Sequence, residues 1–125
     1  MAGEYSKFGV PVRSGLEKLL DAFARYDWLT GVHLHVGSQG CPIDLLVKGI
    51  GVLYDFENEV NMRTGRRQIK IFDIGGGLPV SYDSSIEPVS MEEYVSAIKS
   101  NFPELFDPRP YPASSIQHSA ISIQQ

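Results

Sequence analysis

Ile69-Lys70-Ile71-Phe72-Asp73-Ile74-Gly75-Gly76-Gly77-Leu78-Pro79 is the stretch on which the rest of the chain turns. Its first half alternates apolar with polar or charged residues and is rich in β-branched side chains, which predicts a strand over 69–74. The strand empties directly into three glycines. Residues without Cβ adopt positive φ and let backbone N–H groups approach a ligand closely. In α/β folds such a turn lies at the carboxyl end of a parallel strand, where anion sites are built. The spacing is not G-x-G-x-x-G, so a dinucleotide fingerprint is excluded.

Upstream, Val32-His33-Leu34-His35-Val36 follows Gly31 and predicts a second strand over 32–36, with a loop from Gly37 to Pro42. Ile43 then opens a helix whose stripe is Ile43, Leu46, Val47, Ile50, Leu53, Tyr54 and Val60, with Gly65 as its stop. Further upstream, Ser14-Gly15-Leu16-Glu17 reads as a capping box, and Leu16, Leu19, Leu20 and Phe23 predict a helix over 15–26. Downstream, Ser90-Met91-Glu92-Glu93 is another capping box, followed by Tyr94, Val95 and Ile98 at helical spacing. Strands separated by helices should be parallel with right-handed crossovers. The expected fold is therefore α/β with parallel strands.

The chain has 125 residues, enough for one compact domain, but about half of the ~250 that a closed (β/α)₈ barrel takes. A net charge of −4 gives no support for a nucleic-acid or anionic-membrane partner, and the sequence has neither a long apolar span nor a signal-peptide core. Arg66, Arg67 and Lys70 read as a solvated helix end. The single cysteine, Cys41, excludes an internal disulfide and fits a reducing compartment, so the expected location is cytoplasmic. From Pro110 to Gln125 there is no Asp, Glu, Lys or Arg. The expected division is a domain over 1–109 and a divergent, disordered tail over 110–125, in which Ile116, Ile121 and Ile123 could form a marginal strand with no evident partner.

A flat imidazole at His35, a hydroxyl at Ser38 and the bare N–H groups of Gly75, Gly76 and Gly77 would suit a phosphate-bearing aromatic cofactor. Each has a plainer reading: a structurally satisfied core histidine, a loop serine, a tight turn. His33 shares a face with His35, but no third ligand of suitable spacing makes the pair a metal site. Nothing like G-x-S-x-G surrounds Ser38 to make it a nucleophile.

Taken together with Ser6-Lys7-Phe8-Gly9, the segments His35-Val36-Gly37-Ser38-Gln39 and Asp73-Ile74-Gly75-Gly76-Gly77-Leu78-Pro79 resemble the fold-type III pyridoxal-phosphate decarboxylases. That family includes the diaminopimelate, arginine and ornithine decarboxylases. The resemblance implies a partial TIM barrel of about three β/α units and pyridoxal 5'-phosphate as cofactor. It implies that His35, the catalytic candidate, stacks on the pyridine ring and that Ser38 contacts the phosphate. Gly75, Gly76 and Gly77 would form the phosphate loop, with Gly77 closest. Lys7 would serve dimer contacts, and Asp73 would orient the glycine loop or neighbouring side chains. An amino acid would be the substrate and a homodimer the assembly. Gln39 is closer to the diaminopimelate and arginine branches than to the eukaryotic ornithine enzymes.

The chain departs from the family in three places. The lysine that binds the cofactor belongs on a strand upstream of this sequence. The Glu-Pro-Gly-Arg strand is replaced by Tyr111-Pro112-Ala113-Ser114-Ser115, and the Cys-Asp segment with its β-domain is missing. The expectation is a decarboxylase fragment inactive alone; the alternative is a non-catalytic homologue acting as a binding or regulatory protein.

Overall fold

Leu19, Leu20 and Phe23 on one helix, and Leu53, Phe56 and Val60 on another, recur at intervals of three or four, so each helix carries one apolar stripe. In the computed structural model these stripes meet in one core on a single face of a parallel sheet, with the Phe23 and Phe56 rings 5.4 Å apart. The structure describes residues 9–37, 41–78, 85, 87–106 and 119–124. Its elements are β1 (Val10–Pro11), α1 (Val12–Arg25), β2 (Leu29–Leu34), α2 (Ile43–Thr64), β3 (Ile71–Asp73), α3 (Met91–Asn101), a 3₁₀ turn (Pro103–Phe106) and β4 (Ser119–Gln124).

α1 begins earlier than the capping box at Ser14 implied. Pro11, with φ −66° and ψ 124°, is the N-cap, and no side chain caps the helix. The short strand β1 runs straight into it, and proline's fixed φ suits the junction. Burying Leu19, Leu20 and Phe23 contributes about 1.5–3 kcal/mol each, whereas a cap contributes about 1 kcal/mol. Val12, in the first turn, packs against the same core, so packing carries the helix back past Ser14. α2 runs from Ile43 to Thr64 and stops at Gly65, whose φ of 67° and N–H bond to Asn61 O make a left-handed cap, as expected. α3 begins at Ser90 with both bonds of the capping box formed.

The sheet order is β1-β4-β2-β3, with every neighbour parallel. β2 lies at 29–34 rather than 32–36, because Leu29 and Thr30 are already buried against the core. β3 is shorter than 69–74. Before it, the buried Gln68 turns its side-chain amide to the carbonyls of Phe23, Tyr26 and Leu29 (2.7, 3.0 and 3.0 Å), tying the end of α1 to the start of β2. Register pairs Gly31 with Ile71, Val32 with Phe72 and His33 with Asp73. Val32 and Phe72 meet the core of α1 and α2. Because side chains alternate along a strand, Gly31, His33, Ile71 and Asp73 share the opposite face.

β4 departs from the expected disordered tail over 110–125. Ser119–Gln124 lies between β1 and β2, pairing Val10 with Ile123 on one side and Leu34 with Ile123 on the other. It gives ladder partners to two strand edges that would otherwise carry open N–H and C=O groups. No helix among the described residues is long and apolar enough to cross a membrane.

Candidate functional site

Two loops leave the carboxyl ends of adjacent strands and meet. His35 and Val36 follow β2; Ile74 and the glycines follow β3. Apolar side chains hold both loops down. Val36 packs against the core of α1, α2 and β2 and also against a second cluster, in which Leu46 and Ile50 of α2 meet Tyr94 and Ile98 of α3. Ile74 and Leu78 flank the glycines and join that second cluster. The glycines themselves stay near the surface.

Glycine is required here for two reasons. Gly75 (φ 67°) and Gly77 (φ 108°) occupy backbone conformations that L side chains rarely adopt. A Cβ on Gly75 would also lie 2.5 Å from Leu34 O and 2.9 Å from His35 Nδ1, and one on Gly77 would run into Gly37 O. The close approach of Gly37 and Gly77 carries no sequence signal beyond two glycines in separate loops. Gly76 differs. Among the described residues, a Cβ there meets only His35 Cε1, at 4.0 Å. Among the described residues, the position beside the imidazole is therefore open.

The polar bonds are specific. Gly76 N–H donates to His35 Nδ1 at 3.3 Å. Gly75 N–H donates to Asp73 Oδ1 at 2.9 Å, and the other Asp73 oxygen lies 3.1 Å from His33 Nδ1. Chiefly the Gly75 bond holds the Asp73 carboxyl below the usual carboxylate range, against the opposing effect of burial and with a lesser contribution from His33. Two N–H groups of the triplet are thus engaged within the chain, rather than all three turning outward.

Of the expected site residues, the structure brings His35, Asp73, Gly75, Gly76 and Gly77 together. Ser38 and Lys7 lie outside the described residues, as does Gln39. His33 joins the group through Asp73, its partner in the strand register. Cys41 is a buried packing residue of the second cluster. The described residues contain no group of three or more His, Cys, Asp or Glu able to hold a metal ion. α3 does not begin in the glycine turn; residues 79–89 separate Leu78 from its cap.

The donor set fits pyridoxal phosphate: the His35 ring stands beside a glycine turn in which, among the described residues, a Cβ on Gly76 would meet nothing nearer than His35 Cε1 at 4.0 Å. A family model described as the pyridoxal-dependent decarboxylase, pyridoxal binding domain, matches residues 1–116. The arginine decarboxylase of Solanum lycopersicum is 37% identical over 106 residues, 78% of this chain and 21% of that protein. The diaminopimelate decarboxylase of Methanothermobacter thermautotrophicus is 32% identical over 100 residues, 80% of this chain and 23% of that protein. The biosynthetic arginine decarboxylase of Shewanella piezotolerans is 39% identical over 85 residues, 66% of this chain and 13% of that protein. The chain spans about a fifth of the length of the first two. No solved structure matches it.

Proposed function

The chain belongs to the pyridoxal-dependent decarboxylase family, and from that premise we propose that it is the cofactor-holding portion of an amino-acid decarboxylase, a partial (β/α) barrel in origin. The observation that supports this reading is the Gly76 N–H to His35 Nδ1 bond, which joins the loops after two adjacent parallel strands. His35 would offer its ring to the pyridine. Gly77, which takes part in neither internal bond described above, would face the phosphate together with Ser38 and any donor that Gly76 releases. When bound, pyridoxal phosphate supplies the electron sink that loss of CO₂ from an amino acid requires. The substrate class follows the relatives: arginine or diaminopimelate, with ornithine the further possibility. A cytoplasmic homodimer with Lys7 at its contacts belongs to the same proposal.

On this reading the chain alone does not turn over substrate. Lys18 and Lys48 lie exposed on α1 and α2, and Lys99 lies exposed on α3. Lys70 precedes β3, at the end of the strand away from the glycines. None of these four stands at the mouth where His35 and the glycines meet. The same observation favours a second reading, a homologue that binds the cofactor or a related phosphate without chemistry.

The test is binding of inorganic phosphate and of pyridoxal phosphate to the full chain. Weak binding of both is expected, declining at high salt. Gly76→Val should abolish it by filling the space beside His35. Undiminished binding by that variant would remove the assignment. Added arginine or diaminopimelate should yield no CO₂ beyond that released by free pyridoxal phosphate; turnover would overturn the claim of inactivity.

A further inference from the structure

His33 and His35 are two residues apart, yet their Nδ1 atoms are used in opposite ways. The Asp73 carboxylate can only accept hydrogen bonds, so His33 Nδ1, 3.1 Å from Asp73 Oδ2, must carry the proton. His35 Nδ1 accepts from Gly76 N–H, so it must be bare, and a neutral His35 then holds its proton on Nε2. The two bonds are linked through the turn. Asp73 Oδ1 takes Gly75 N–H, which orients the Ile74–Gly75 peptide, one residue before the Gly76 N–H that meets His35.

We propose that His33 is a positioning residue: through Asp73 it sets the glycine turn, and the turn in turn fixes His35 as the Nε2–H tautomer. His33 is half-buried on β2, two residues before His35, which follows the strand. Geometry supplies the link. His33 and Asp73 are direct partners in the parallel register, so the bond costs little side-chain freedom once the strands pair. As it bears on anion binding, the inference rests on the reading of the glycine turn as a phosphate site.

Two variants test it in the full chain. His33→Phe keeps a planar ring and removes the donor; His33→Gln restores an N–H donor. Imidazole ¹⁵N shifts in mildly alkaline buffer should show His35 as the Nε2–H tautomer in the parent chain. His33→Phe should give a mixture of tautomers and faster exchange of the Gly75 amide proton. It should also weaken binding of inorganic phosphate roughly two- to tenfold. His33→Gln should restore all three. A purely structural histidine would lower the melting temperature on substitution while leaving the His35 tautomer unchanged. An unchanged tautomer and unchanged Gly75 exchange in His33→Phe would overturn the proposal, as would failure of His33→Gln to restore them. Should the parent chain not bind phosphate while tautomer and exchange respond as expected, the phosphate reading falls and the role of His33 stands. Should phosphate bind equally to parent and His33→Phe, the proposed effect of His33 on binding falls and the phosphate reading stands.

Discussion

Neighbouring glycines at this site have unlike tolerances. Gly77→Ala forces a Cβ into φ 108° and against Gly37 O; the strained backbone alone costs about 1–3 kcal/mol. Gly76→Ala meets nothing closer than His35 Cε1 at 4.0 Å among the described residues, so its melting temperature should stay near that of the parent. Thermal melts of the two variants side by side check this; equal losses would show that the turn is packed differently. Asp73 adds a pH dependence. Its carboxyl is held below the ordinary range by Gly75 N–H first and by His33 second. A depressed folded value means the bond stabilises the turn in full above the ordinary carboxylate range. That stabilisation fades as the pH falls through and below that range. Because Asp73 is exposed, the effect is local rather than global. The Gly75 amide proton shift should therefore titrate in acid, and Asp73→Asn should flatten the curve.

At the scale of elements, local signals were legible where nothing distant competed. α3 starts at Ser90 because Glu93 N–H and Ser90 Oγ, and Ser90 N–H and the Glu93 carboxylate, satisfy each other within one turn. Ser90→Ala should cost about 1 kcal/mol, read as a drop in the denaturation midpoint; no change would mean that packing of Tyr94 and Ile98 alone sets the boundary. α2 was legible from its stripe and from Gly65. α1 was misplaced at its start because a plausible cap at Ser14 was overruled by Pro11 and by the packing of Val12 against the core. β4 gave only the marginal signal of Ile121 and Ile123, and its pairing was not legible, since its partners β1 and β2 lie far back in the chain and β1 is two residues long. The same limit applies to the site. His35 and the glycines could be read as loops after strands. The His33–Asp73 pair depends on the register between strands, which no single segment encodes.

For the whole molecule, the sheet is held at its middle by its last strand. Truncation after residue 118 would leave β1 without its partner and β2 bonded only to β3. Such a chain should melt at a lower temperature than the parent or lose its cooperative transition, followed by circular dichroism. An unaltered melt would show that β4 contributes nothing to stability. The edge that β3 presents among the described residues, with its own Ile71 38% exposed, should make the parent associate as concentration rises, checked by size-exclusion with light scattering. The placement of β4 also has a consequence for synthesis. Val10 and Ile123 are ladder partners although 113 residues of sequence separate them. Contacts of such sequence separation form slowly. Until Ser119–Gln124 clears the exit tunnel, β1 and β2 wait without the strand that joins them. The nascent chain is then an open, half-paired sheet, a natural client for a chaperone that shields strand edges during translation.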